Sequence, residues 1–407
     1  MTVCLVARRD EEALVEIAAV DTSLPLAGTV LTVKACFDVA GWTTHAGSAV
    51  LADAAPAHTD APMVRALRSA GAIVLAQTNM TEFAYGALGL NSTYGTPTTP
   101  LRPGEERVSG GSTSGGAVAA SLGVADLSLG SDTSGSIRIP AAFCGVAGFK
   151  PSQGRYPADG LIPLAVSFDA PGLIAASVDR LRRTDMALID RDPRQISRRS
   201  LADVRLIVPV DAINAGATDR EVFDRFDEWL RTLAAAGATI VEAELPMLTE
   251  AGLAAREGSV IAVEAYDWHR DLIATDFERY DHRIGPRIRH GATVLAADYV
   301  AAMRAIGDCR RRYDEAMHDA DALVTPTVPI IPPRVADVES MDTYLAMNTE
   351  VLRLTEFANR LDLPSISLPG ARGDREPIGL MLTGRRGGDA AMLDLAVLVE
   401  NCLAGAD

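Results

Sequence analysis

Three places in this chain put reactive groups where folding alone gives no reason for them. The first is Lys34, inside the apolar run LAGTVLTVKACFDVAG, which reads as a strand running into a polar turn. A charged side chain is out of place there unless it has a task. The second is GGSTSGG, from Gly110 to Gly116, which carries Ser112 and opens a run of small residues that reads as a helix. The third is SDTSGSIR, where Gly135 precedes Ser136. A glycine-rich loop at a helix start can cradle a phosphate. The loop lacks the GK[ST] ending of a P-loop and the G-x-G-x-x-G spacing, which counts against nucleotide binding. The same glycine-freed amides can instead converge on an oxyanion, and a serine beside them can attack a carbonyl once a base takes its proton. No histidine lies near these loops in sequence. A lysine kept neutral by burial can be that base, and Ser–Lys pairs are an established variant of triad chemistry.

The neighbours of these residues have plainer readings. Taken alone, Ser112 and Ser114 are more simply helix caps. Asp132 and Arg138 flank Ser136 and read as an ion pair bracing its loop, and Cys144, among small apolar residues, reads as core. Of 38 basic residues only Lys34 and Lys150 are lysine. Arginine serves wherever a fixed charge is wanted, so a surviving lysine can mark a place where the proton must come off.

The rest of the chain sets bounds. A formal charge of −16 over 407 residues repels phosphate backbones and acidic lipid, so neither nucleic acid nor membrane is an expected partner. Five scattered cysteines without CxxC spacing argue against a disulfide framework and for a reducing compartment. The histidines show no metal-ligand spacing, so no metal or cofactor is expected. No run approaches the roughly 20 apolar residues of a membrane span, and the N-terminus does not read as a signal peptide. The expected location is the cytoplasm.

Elements that would position the three sites alternate along the chain. APMVRALRSAGAIVLAQTN reads as a helix, a turn at Gly71 and a buried strand through Ile73, Val74 and Leu75. From about Asn91 to Ser114 the chain is irregular and rich in Gly, Pro, Ser and Thr, a composition that in so long a loop points to function. GGAVAASLGVADLSLG reads as a helix then a strand, and the following stretch to GRYP reads as loop. VRLIVPV, ATIVEAEL, ALVTP, LPSISLPG and IGLMLTG read as further strands, with helices between and at the end. The pattern predicts one α/β domain over residues 1–407, with 204–332 as a cap or insertion within it.

The segment from Ser109 to Ser152, SGGSTSGGAVAASLGVADLSLGSDTSGSIRIPAAFCGVAGFKPS, resembles the long glycine/serine signature of the amidase-signature family. TVKACFDVAGWTTHAGS, TNMTEFAYG, NSTYGTP, VTPTVP, LPSISLPG and PIGLMLTG add to the resemblance, which runs from about Leu26 to the C-terminus. It implies a mixed, mostly parallel central sheet covered by helices on both faces. It also implies a relay in which Lys34 is the base, Ser112 a bridging serine after a cis peptide bond, and Ser136 the nucleophile, 24 residues beyond Ser112. The amides of Thr133, Ser134, Gly135 and Ser136 would form the oxyanion hole, and Ala84 and Tyr85 would line the acyl pocket. This sequence departs from the family at Ser134, where a second glycine is common. The activity implied is hydrolysis of a small carboxamide to carboxylate plus ammonia or amine, without a cofactor. The partner expected is the small-molecule amide itself, with a homodimer as the candidate assembly. The alternative is the amidase subunit of a tRNA-dependent amidotransferase, releasing ammonia from glutamine. The middle region shows no counterpart of that subunit's glutamine-recognising residues, and the chain looks short for the role.

Overall fold

The computed structural model describes residues 3–189, 200–370 and 376–405. Its centre is an eleven-stranded sheet. In chain order the strands are β1 (Leu5–Arg8), β2 (Val30–Lys34), β3 (Ile73–Thr78), β4 (Leu127–Asp132), β5 (Ala147–Lys150), β6 (Ala170–Ala175), β7 (Arg205–Pro209), β8 (Thr239–Ala243), β9 (Ala322–Pro326), β10 (Ser365–Leu368) and β11 (Leu380–Thr383). They lie side by side in the order β1-β3-β2-β4-β6-β5-β10-β11-β9-β7-β8.

The sheet is mixed, as expected, but its balance differs. Among the described residues β2 pairs in parallel with β3 and β4, and β7 with β8 and β9. The other six ladders are antiparallel. Part of the difference lies at β5, inside the stretch read as loop, and at β6, which the pattern left unassigned: they pair antiparallel with each other, and β6 returns beside β4. Both were hidden by glycine. Gly172 in β6 is where strands approach closely, since a Cβ there would lie 2.5 Å from the Phe149 carbonyl oxygen.

Successive β6 residues face opposite layers, as a strand requires. Leu173 packs in the cluster that holds Val178, Leu181, Leu393 and Ala396 of the helices Val178–Leu188 and Asp389–Ala404. Ile174 packs with Ala117, Val118, Ile137 and Ala141, around the helices Ser114–Ser121 and Arg138–Phe143. Helices therefore cover both faces. Burying each Leu, Ile or Phe in these layers stabilises the fold by roughly 1.5–3 kcal/mol.

Local chemistry explains the predicted elements. The helix Pro62–Ser69 begins with proline at its first turn, where no intrahelical donor is lost. It ends at Gly71, whose φ of +103° favours glycine, and a Cβ there would sit 2.9 Å from Ala27 Cα. In the middle region β7, β8 and β9 extend the same sheet at the end opposite β1. Between β8 and β9 stand the helices Met247–Glu257, Val260–Asp276, Gly285–His290 and Ala296–Ala316.

Candidate active site

The parallel pairing of β2 with β4 sets Val33 beside Leu129, so the ends of both strands meet. Lys34 is the last residue of β2 and is fully buried. Its Nζ donates to Ser112 Oγ at 2.8 Å and to Ser131 Oγ, near the end of β4, at 2.9 Å. Both acceptors are neutral, and among the described residues no carboxylate pairs with the amine. Burial lowers the Lys34 pKa, with Cys36, Asp132 and Asp169 opposing only through the field between them.

Ser112 precedes the helix Ser114–Ser121, and the Gly111–Ser112 peptide is cis. Gly111 admits this tight path: a Cβ on it would fall 2.6 Å from Gly89 N. Ser114 is the first residue of the helix, and its hydroxyl has no hydrogen-bond partner, so it does not cap it. Ser136 sits in the loop from β4 to the helix Arg138–Phe143 and faces a cavity of about 540 Å³. Among the described residues no hydrogen bond joins the Ser112 and Ser136 hydroxyls. Their loops are tied instead by Thr113 N–H donating to the Ser136 carbonyl at 3.2 Å.

The loop before Ser136 is held from several sides. Arg138 forks onto Asp132 with both side chains fully buried, through Nε at 3.1 Å and Nη2 at 3.0 Å. Burial alone would raise the Asp132 carboxyl, but Arg138 and the Ile137 amide outweigh it and hold it well below the carboxylate range. The Asp132 carboxylate also accepts the Gly135 amide at 2.7 Å. That occupies one of the four expected oxyanion donors. The amides of Thr133, Ser134 and Ser136 donate to no protein acceptor among the described residues. Ala84 and Tyr85 do line the cavity with Ser136.

The structure also shows residues the sequence reading did not single out. Ser131 gives Lys34 its second hydroxyl. The segment 355–360 grips the Ser136 loop through Thr355, Asn359 and Arg360. No sequence signal marked it: Arg360 stands among the polar residues Thr355, Glu356, Asn359 and Asp362 in the run before LPSISLPG. Cys144 is fully buried and its thiol is pushed up to about 12 by burial, in keeping with a core role. Lys150 is buried too, and burial pulls its amine down to about 8, but its hydrogen bond goes to the Pro151 carbonyl and not to Ser112 or Ser136. Among the described residues no cluster of His, Cys, Asp and Glu could hold a metal, and no helix is long and apolar enough to cross a membrane.

Lys34 thus meets Ser112 at the end of β2, and Ser136 faces the cavity beside the amides of Thr133 and Ser134, unpaired among the described residues. The amidase family profile matches residues 2–393, and the chain belongs to that family. It is accordingly an enzyme that hydrolyses the C–N bonds of amides. Over 401 residues it is 33% identical to the 2-amino-5-chloromuconic acid deaminase of Comamonas testosteroni, covering 94% of this chain and 85% of that protein. It is 32% identical to a glutamyl-tRNA(Gln) amidotransferase subunit of Halobacterium salinarum, covering 92% of this chain and 96% of that subunit. A solved amidase structure superposes with a TM-score of 0.88 at 31% identity, over 98% of this chain and 92% of that one.

Proposed function

We propose that this enzyme hydrolyses a small amide carrying an anionic group, through an acyl-enzyme on Ser136. The observation that carries the relay is the contact of Lys34 Nζ with Ser112 Oγ, set behind a Ser136 that faces the cavity. Neutral Lys34 takes the Ser112 proton as Ser112 takes that of Ser136. Ser136 Oγ bonds to the amide carbon, and the carbonyl electrons move onto oxygen, facing the amides of Thr133, Ser134 and Ser136. Collapse breaks the C–N bond, and the relay returns its proton to the leaving nitrogen. Water, deprotonated by the same relay, then releases the carboxylate.

The cavity wall supports the anionic substrate. It carries Arg256, Arg283, Arg287 and Arg360 but only one carboxylate, Glu356, in a chain of formal charge −16. Arg256 and Arg360 share Glu356, and Arg283 is paired with Asp281. Arg287 has no carboxylate partner among the described residues. It donates to the Tyr85 carbonyl at 2.7 Å and lies 3.9 Å over the Tyr85 ring, with further donors left for a ligand. The chloromuconic acid deaminase, by its name, acts on an acid, which agrees with this reading.

The glutamine-dependent subunit is the second reading. Length does not count against it, since the match spans 96% of the Halobacterium protein. We place the enzyme in the cytoplasm, on its own or as a homodimer. Release of ammonia or amine from a panel of dicarboxylic monoamides, neutral aliphatic and aryl amides, and glutamine separates the two readings. Preference for the monoamides supports the proposal. Turnover of neutral amides alone contradicts the anionic substrate, and turnover of glutamine alone favours the second reading.

A further inference from the structure

The peptide joining Thr133 to Ser134 has an acceptor at one end, the Thr133 carbonyl, and at the other the Ser134 N–H that the proposed mechanism aims at the oxyanion. The acceptor end is occupied by a charge. Arg360, 2% exposed, donates from Nη1 to the Thr133 carbonyl oxygen at 2.9 Å and from Nη2 to Ser134 Oγ at 2.8 Å. Its guanidinium lies 4.3 Å over the Phe168 ring, which fixes its plane. We infer that Arg360 is a positioning residue for the oxyanion hole, orienting the Thr133–Ser134 peptide and polarising the N–H that meets the developing negative charge.

The physical basis is resonance within one peptide unit. A donor on the carbonyl oxygen draws density from the nitrogen and leaves the N–H a stronger donor, and a charged donor does so more than a neutral one. Asn359 acts alike one peptide earlier, donating from Nδ2 to the Asp132 carbonyl at 2.8 Å, in the unit that carries the Thr133 N–H. Neutralising Glu356 does not account for Arg360. Glu356 already pairs with Arg256, and its contact with Arg360 is the longer one, at 3.4 Å. The arrangement also gives a use to Ser134, where a glycine would offer no hydroxyl to seat the guanidinium.

This inference rests on Ser136 being the nucleophile, and one experiment separates the two. A fluorophosphonate places its phosphoryl oxygen where the oxyanion would lie. The Ser136 oxygen bonds to phosphorus, fluoride leaves, and the serine proton passes to the relay. The wild type, Arg360→Met and Arg360→Gln are compared for kcat, KM and labelling rate, with the label located by mass and the turnover of unlabelled enzyme divided by the number of sites the label titrates. The expected result is label on Ser136, with kcat in both variants down roughly 10- to 100-fold. KM should stay within about threefold, and labelling should slow by the same factor as kcat/KM. Arg360→Gln, which keeps a donor without the charge, carries the comparison should Arg360→Met not fold. Variants that lose melting temperature while turnover of the unlabelled enzyme, per titratable site, stays at the wild-type rate would overturn the inference and leave the relay standing. Wild-type enzyme unlabelled at Ser136 would overturn both.

Discussion

Lys34 Nζ lies 2.8 Å from Ser112 Oγ in a site where neither residue is exposed to solvent. A buried amine whose hydrogen-bond partners are two hydroxyls and, at 3.4 Å, the Ser131 carbonyl has no opposite charge beside it, so the neutral base is favoured. Arginine cannot take that role because it keeps its proton. Lys34→Arg should therefore lose roughly 10³-fold or more in kcat while remaining folded by circular dichroism. Near-normal turnover in the folded variant would remove Lys34 as the base.

The same lowered pKa predicts two pH dependences. Activity needs the neutral amine, so kcat/KM should rise with pH through the folded-state pKa of Lys34 and then level. For stability, the unfolded lysine holds its proton up to about 10.4 while the folded one has released it, so folding is favoured as pH rises. Stability falls by as much as about 1.4 kcal/mol per unit as pH drops from the unfolded toward the folded pKa. Lys34→Met lacks this titration. Its stability, followed by urea unfolding between pH 7 and about 10, should vary less with pH than that of the wild type; parallel curves would contradict the lowered pKa.

Arg138 and Asp132 form a fully buried pair, and Asp132 also receives the Gly135 and Ile137 amides. Arg138→Met would leave that carboxylate buried and unpaired, at a cost of about 3–5 kcal/mol. The held-down Asp132 pKa gives stability that is present above the unfolded value and lost as pH falls through the folded one. The deficit of the variant should thus be largest near neutrality and shrink in acid. A deficit under about 1 kcal/mol at pH 7 would reduce the pair to an ordinary surface-like contact.

Arg287 is the cavity arginine without a carboxylate partner among the described residues. If it receives the anionic group, Arg287→Met should raise KM for a dicarboxylic monoamide roughly 10-fold or more, the loss of a charge-assisted contact. A neutral amide of similar size should change far less. Equal losses on both substrates, measured by steady-state kinetics, would assign Arg287 to holding Tyr85 instead.

Lys34, Ser112 and Ser136 stood out in the sequence because each broke a local rule: a lysine at the end of an apolar strand, and serines among glycines that no turn alone requires. The paired strands around them were less so. β5 and β6 carry Gly148, Pro171 and Gly172, which in sequence look like punctuation, and only the ladder between them reveals why small residues are needed. The helix Arg138–Phe143 is one short stretch containing Pro140, too brief for a periodic signal. The helix Asp10–Ala19 buries only Ala13, so it has no apolar stripe to read. Ser131 could not be assigned to Lys34 without the register of β2 on β4, and the Gly135 amide could not be known to be occupied without the fold of the Asp132 carboxylate onto it. Arg360 reaches Thr133 and Ser134 across 226 or more positions of sequence, a relationship no local pattern contains.

The measurement that bears most directly on the account is turnover of the best amide in the panel by Ser136→Ala, beside wild type prepared identically. A Ser136 acyl-enzyme predicts that the variant folds, binds substrate, and loses at least roughly 10³-fold in kcat, because alanine has no hydroxyl to attack the amide carbon. A correctly folded Ser136→Ala variant turning over within about tenfold of wild type would contradict it, and the chemistry would then have to lie elsewhere on the cavity wall.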